Sequence, residues 1–566
     1  MDISFNIGSH KSDYEKTAHK FLEEKVAARI WQKDFTLWSD KPDEITNRLG
    51  WLVSARTSLS ALKEINEFVD SVRKEGFKKA LLLGMGGSSL APEVFRLTFG
   101  VADGFLDLAV LDSTDPTMVL DYAKRFDPAE TLYIVSTKSG GTVETFSFMK
   151  YFFNQTIEKV GKENAGNHFV AITDPGSGLE STAKQLNYRK IFLNDPNIGG
   201  RYSALSLFGI VPAALIGIDV SKLLRIAEAM SFSSKNSDLL QNNSAAAGIV
   251  MGELAKKGID KVTFITSERL SYFGAWVEQL IAESTGKIGK GILPVVGEEI
   301  LTPEYYSNDR LFVILKLNGD KINQDKIDDL KKASHPVIEI VVNDIYELGA
   351  EFFRWEIATI VASWVISIQP FDQPNVESAK IVARKMVQEY KENGKLPELP
   401  ISVEEGEMKI TSGVSGNSVK EIVNNFLSSV QKDFKFNLYP YVSIQSYTTM
   451  NKQTEEAIQI LRTKIQKKFK VATTVGFGPR FLHSTGQLHK GDGGNGVFIQ
   501  FIYDPQNDAA IPDEAGEDRS TMTFGVLIKS QALGDRQALL DNQRKLMTIN
   551  LGKNVIDSLG KISEMI

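Results

Sequence analysis

Residues 131–145 read TLYIVSTKSGGTVET, and this stretch sets the class of fold. The apolar run 132–135 (LYIV) has the length of a buried strand and is too short for a core helix. It stops at Ser136, where a turn rich in hydroxyls and glycine leads into a helix expected over 143–157. The same order recurs on both sides. Upstream, a strand at 79–83 (KALLL) runs into the turn GMGGSS at 84–89, with a helix from about Pro92. Next comes a strand at 106–111 (LDLAVL) ending in Asp112. Downstream, 168–172 (HFVAI) is a further strand, closed by Thr173, Asp174 and Pro175. Strand, turn and helix in alternation describe an open parallel α/β sheet. Ligands of such sheets sit at the carboxyl ends of the strands. Both glycine-bearing turns, 84–89 and 136–142, fall there.

The rest of the chain is read outward from this block. Residues 1–75 read as a helical segment, with Phe21, Val26, Ala28 and Trp31 near helical spacing. A first α/β domain, holding the turn at 136–142, spans 76–225. A second spans 226–435, with strands at 261–266, 311–317 and 336–342 and a helix at 350–368. Within it, 390–420 is rich in Glu, Lys, Pro, Gly and Ser and reads as a long surface excursion. From 436 to 566 the α/β pattern returns: strands near 441–445, 470–474, 496–502 and 522–528, and a helix at 453–468. This last segment is expected to complete the second domain and the active site. At 566 residues the chain is too long for one core, which agrees with several domains.

Composition excludes some classes of function. The net charge is −6, from 65 basic and 71 acidic residues, so no nucleic-acid partner is expected. The lysines at 464, 467, 468 and 470 read as a solvated helix face. The chain has no cysteine, which removes disulfides, thiol nucleophiles and cysteine–zinc sites. The start, MDISFNIGSHK, lacks the basic and apolar regions of a signal peptide. The longest apolar runs, 207–220 and 357–368, are shorter than the roughly 20 residues of a membrane helix, and the first contains Pro212. Both are expected to be buried helices of a cytoplasmic protein with no membrane partner.

Five places could carry chemistry. In STKSGGTVET, 136–145, five hydroxyls, one lysine and two glycines precede a helix. Unpaired amides at a helix N-terminus carry a positive partial charge, and glycine lets the backbone approach an anion. Hydroxyls and Lys138 would complete a phosphate cradle; one capping hydroxyl would have sufficed for an ordinary helix start. GMGGSS lacks the GxGxxG spacing and a following acidic residue, so a dinucleotide cofactor is not expected. Arg201 follows two glycines in GGRYS, suited to a ligand or to a plain surface helix start. Glu283 lies in QLIAESTGK, either a burial-tuned proton carrier or a helix-end glutamate facing water. Of six histidines, His483 and His489 fall in RFLHSTGQLHK, 480–490. A histidine among glycines and hydroxyls is an acid–base candidate near neutral pH. Zinc is the competing reading, but HExxH is absent. His335 precedes Pro336 at a strand start and reads as structural.

Taken together, MGGSSL, STKSGGTVET, GGRYSALSLFG, ESTGK and FDQPNVESAK resemble the phosphoglucose isomerase family, over roughly 80–380. The last motif departs from the family by having Asn375 where glycine is usual. The region 436–566, with GPRFLHSTGQLHKG, is similar to the isomerase half of transaldolase–phosphoglucose isomerase fusions; the transaldolase half is not in this chain. The resemblance implies two sugar-isomerase (SIS-type) doubly wound α/β domains, mainly parallel and flanked by helices. It implies interconversion of glucose 6-phosphate and fructose 6-phosphate, no cofactor or metal, and a homodimer. In it, Glu283 carries the proton between C1 and C2, and Arg201 steadies the enediolate. Thr137, Lys138, Ser139 and Thr142 hold the phosphate, with Ser88 nearby. Lys380 and a histidine open the sugar ring. The family's HSxxQ-like string here is 483–487, after Lys380, whereas the only histidine between Glu283 and Lys380 is His335. His483 is therefore expected over His489 and His335, in a segment moved along the chain but kept in place in space. Lys529 rivals Lys380. The alternatives are a non-catalytic sugar-phosphate sensor and an isomerase of a related phosphosugar such as mannose 6-phosphate.

Overall fold

The computed structural model describes residues 2–430 and 439–566. The chain opens on a strand, Asp2–Asn6 (β1), before the helices Lys11–Glu23, Val26–Trp31 and Ser54–Lys74. The expectation of an all-helical start is corrected here: β1 pairs antiparallel with a strand more than 300 residues away, a partner that local sequence does not reveal.

The first sheet is built from β2 (Lys79–Gly84), β3 (Asp107–Leu111), β4 (Thr131–Ser136), β5 (Phe169–Thr173) and β6 (Lys190–Leu193). Its order is β3-β2-β4-β5-β6 and every pairing is parallel. All six residues of β4 are buried, as a strand covered on both faces must be. The second sheet holds β7 (Lys261–Thr266), β8 (Leu293–Val295), β9 (Arg310–Leu317) and β10 (Val337–Val342), in the order β1-β10-β9-β7-β8. Only the edge strand β1 is antiparallel in it. One core joins these two sheets. It includes Leu82 and Ile134 from the first and Phe264 and Val313 from the second. Two helices run through it, Leu207–Leu215 and Leu348–Val365. Both are apolar nearly all round, so they are buried rather than amphipathic.

A third sheet follows. Its strands are β11 (Val403–Glu405), β12 (Met408–Ser412), β13 (Tyr441–Tyr447), β14 (Ala472–Phe477) and β15 (Gly496–Ile502). A small antiparallel pair, β16 (Ala510–Ile511) and β17 (Met522–Thr523), precedes its last strand, β18 (Lys545–Asn550). The order is β11-β12-β18-β15-β13-β14, with the four strands from 441 onward parallel. It has a core of its own, with Val442, Ile444, Ile499 and Ile549. A bridging cluster of Ala282, Leu293, Leu488 and Phe498 seats it on the second sheet.

Three expectations change accordingly. The segment from 436 onward builds a separate sheet instead of completing the second one, and it recruits β11 and β12 from the supposed surface excursion. The expected boundary at 435/436 lies outside the described residues. The strand expected at 522–528 is only Met522–Thr523; Phe524–Asp541 is a helix. Thr523 caps it by accepting from the Val526 N–H, and Phe524, Leu527, Ile528 and Gln531 bury one face at helical spacing. Among the described residues no helix is long and apolar enough to cross a membrane.

Candidate active site

The site starts where β4 ends. The chain turns at 137–142 and enters the helix Val143–Val160, whose N-cap Thr142 makes no side-chain capping bond. The first-turn amides of that helix are thus left to an anion. Thr137 and Thr142 brace the turn through a hydroxyl–hydroxyl hydrogen bond of 3.0 Å. Gly140 has φ +65°, and a Cβ there would stand 2.4 Å from the Leu179 nitrogen, so only glycine fits. Ser139, Gly141, Thr142 and Glu144 form one wall of a cavity of about 350 Å³. Ser88 is buried in the 86–88 turn next door, its carbonyl accepting from the Ser136 hydroxyl at 3.0 Å. Lys138 does not join this wall. Its ammonium pairs with Asp174, at the end of the neighbouring strand β5, and donates to Pro196 O at 3.0 Å.

The opposite wall comes from later in the chain. His483, Leu482 and Gly486 of the third module line the cavity, with Lys380 from the helix Val376–Asn393. His483 Nε2 lies 2.9 Å from Glu144 Oε1. Gln531 donates to the same oxygen at 2.7 Å and accepts from Thr114 at 2.7 Å. Burial pushes the Glu144 carboxyl up, but the adjoining His483, assisted by Lys380, outweighs it and holds the group below the usual carboxylate range. His483 gives its Nε2–H to the Glu144 carboxylate, which fixes the orientation of the ring.

Glu283 lies near the end of the helix Phe273–Thr285, and Gln279 sits one turn before it. Gln279 Nε2 donates to Glu283 Oε2 at 3.3 Å and to the His483 carbonyl at 2.6 Å. Arg201 Nη1 approaches Glu283 Oε2 at 3.5 Å, and both side chains are under a tenth exposed. Arg201 Nε donates to Ser284 Oγ at 2.9 Å, and Tyr202 OH lies 3.0 Å from the same hydroxyl. The two glycine turns meet backbone to backbone: a Cβ on Gly87 would lie 2.0 Å from Gly200 O. That contact explains why GMGGSS needs glycine at 87, whereas a Cβ on Gly200 would meet nothing within 4 Å.

The structure therefore gathers Ser139, Thr142, Lys380 and His483 around one cavity, and sets Arg201 with Glu283 behind Gln279. The rivals lie elsewhere. His489 is buried between Gln445 and Ser443, and burial, then the charges of Lys490 and Arg544, push it well below its ordinary pKa. His335 packs edge-on against Phe312 and Tyr306. Lys529 lines a different cavity, with Leu533 and Thr548. Glu144, Gln279 and Gln531 were not read from the sequence. Glu144 looks like an ordinary acid in a helix first turn, and Gln279 is signalled only by its four-residue spacing from Glu283.

A parallel sheet whose strand ends present an anion-ready helix N-terminus is an α/β architecture suited to a phosphate-bearing ligand. A hypothetical protein from Thermus thermophilus shares the fold with TM-score 0.59 at 22% identity, over 68% of this chain and 99% of that one. A glucose-6-phosphate isomerase from Chlamydia trachomatis shares it with TM-score 0.51 at 20% identity, over 64% and 77%. Residues 51–292 match the family model described as phosphoglucose isomerase. Over those residues the chain is similar to that family. A probable glucose-6-phosphate isomerase of Methanococcus maripaludis is 28% identical over 386 residues, 61% of this chain and 85% of the relative. The glucose-6-phosphate isomerase of Carboxydothermus hydrogenoformans is 26% identical over 433 residues, 65% and 93% respectively.

Proposed function

We propose that the chain interconverts D-glucose 6-phosphate and D-fructose 6-phosphate, with Glu283 moving the proton. The observation that carries this reading is Gln279, whose amide bonds both to Glu283 and to the His483 carbonyl. It ties a proton carrier to the histidine that faces the anion-ready loop. The substrate phosphate sits on the first-turn amides at 142–144 with the Ser139 and Thr142 hydroxyls. Thr137 braces that loop and Ser88 backs it, while Lys138 holds the end of the neighbouring strand through its pairing with Asp174. The sugar then extends toward Glu283.

Ring opening moves one proton off the anomeric hydroxyl and delivers one to O5. His483, oriented by Glu144, and Lys380 are the acid–base pair for this exchange. In the open aldose Glu283 removes the C2 proton. The C2–H electrons form the C1–C2 double bond, and the carbonyl pair moves onto O1 as an enediolate. Arg201 stabilises the charge on the enediolate oxygens. Glu283 returns the proton to C1 while the hydroxyl proton shifts from O2 to O1, leaving the ketose. Each step conserves atoms and electrons within the sugar and these side chains.

The test is a coupled assay that consumes glucose 6-phosphate, started with fructose 6-phosphate. Glu283→Gln should lower kcat about 10³-fold with KM changed only a few-fold. Full activity in that variant removes Glu283 as the proton carrier. Phosphosugar binding by the wild type without turnover would make the chain a sensor instead.

A further inference from the structure

The segment 366–375 (ISIQPFDQPN) joins the buried helix Leu348–Val365 to the helix that carries Lys380. It has no helix or strand of its own, so other groups must satisfy its backbone carbonyls. Cations do so. Lys287 Nζ donates to Gln369 O at 2.8 Å, Asp372 O at 2.6 Å and Asp372 Oδ1 at 2.7 Å. An ammonium has three protons, and all three of these go to this one segment. Arg201 Nη2 donates to Pro370 O at 2.6 Å and to Asp372 O at 3.2 Å. Lys290 Nζ donates to Ile366 O at 2.9 Å, at the end of the preceding helix, where a cation also suits the dipole. At the far end, the Asn375 N–H donates to Gln487 Oε1 at 2.8 Å. The Gln487 amide answers with bonds to Asn375 Oδ1 at 2.8 Å and Gly286 O at 2.9 Å. Asn375, the position that departs from the family's glycine, thus staples the segment to the string that holds His483.

Lys287 is only 3% exposed and lies four residues beyond Glu283. A buried ammonium is costly unless it is well partnered, so its removal would release the segment rather than leave it in place. We propose that Lys287 is a positioning residue. It clamps segment 366–375, and through it the Lys380 helix and Arg201, in register with His483 and Glu283. The part concerning Lys380 rests on the ring-opening role given to it above.

The charged groups acting on Lys287 are Arg201 from the 200–202 turn, Glu283 from its helix, and Asp372 on the segment. Burial and then Arg201 lower it, against Asp372 and Glu283, to about 8. Because this lies below its ordinary 10.5, the clamp loses its charge as pH rises through about 8, and an alkaline limb in kcat follows. Arginine stays charged throughout that range.

The experiment measures kcat and KM for fructose 6-phosphate from pH 6 to 10 in wild type, Lys287→Met, Lys287→Arg and Lys380→Ala. Lys287→Met should lose about 100-fold in kcat with KM within a few-fold, since the phosphate loop is untouched. Lys287→Arg should recover part of the rate and lose the limb near pH 8. A Lys287→Met kcat within twofold of wild type overturns the proposal. So does a limb that stays near pH 8 in Lys287→Arg, a readout that serves even if the methionine variant does not fold. Lys380→Ala separates the two readings: full ring opening in it removes Lys380 from the mechanism but leaves the Lys287 clamp on Arg201 to be judged by its own variants.

Discussion

At the residue scale, two buried glutamates behave oppositely because of what lies beside them. Glu144 meets the His483 ring at 2.9 Å and is held ionised. Glu144→Gln keeps the shape and an acceptor for His483 but removes the charge, so kcat should fall about 100-fold while phosphosugar affinity stays near wild type. Titration calorimetry beside the coupled assay checks both halves. Glu278 sits on the helix that carries Glu283. Burial raises it to about 8, with Arg462 and Arg480 opposing. The folded chain therefore holds a proton that the unfolded chain releases from about pH 4.5 upward, and stability falls as pH rises from there to about 8. Glu278→Gln should gain on the order of 2 kcal/mol at pH 8 and little at pH 4.5, read as urea midpoints at each pH. An equal gain at both would show that the carboxyl does not titrate this way. The contrast also shows how far the site was legible. Glu283, Arg201 and His483 stand in strings whose glycines and hydroxyls mark a turn at a ligand. Glu144, Gln279 and Gln531 act through partners 200 to 390 residues away, and nothing local marks them.

At the element scale, the helix Phe273–Thr285 links the modules. It ends at Gly286, whose φ of −79° suits any residue, so the glycine is there for space. A Cβ on it would lie 2.3 Å from Leu488 Cα, in the short helix that follows His483. Gly286→Ala should push that helix away, lowering stability by about 2 kcal/mol. The same shift should cost kcat about 100-fold. Far-UV circular dichroism should be unchanged, because no sheet contains the contact. Retained activity would mean that the two elements can part without harm to the site. Elements were readable where the signal is local. The run at 132–135 is β4 trimmed by a residue at each end, and 261–266 and 496–502 match β7 and β15. The misreadings share one cause. The strands β1 and β12 are fixed by distant partners and β11 follows as the hairpin mate of β12, while FGVLIK at 524–529 is apolar enough for a strand until Thr523 caps it as a helix.

At the scale of the whole molecule, the third sheet changes what a single chain can do. His483 and Gln531 come from that module, Glu144 and Arg201 from the first, and Glu283 from the second. One chain thus carries all the groups proposed for the reaction, and its own His483 meets its own Glu144 at 2.9 Å. That arrangement makes a sharp prediction. Glu283→Gln and His483→Ala are each expected to be inactive, and so is their mixture, because each chain still carries one defect in its own cavity. Were His483 to serve a neighbouring chain's Glu283, mixing would create hybrid sites with both residues intact, and activity would return. Wild-type activity per chain should likewise stay constant on dilution from micromolar to nanomolar. A fall on dilution together with recovery on mixing would place the histidine across an interface, whereas constancy and silence leave the third module as the source of His483 for its own chain.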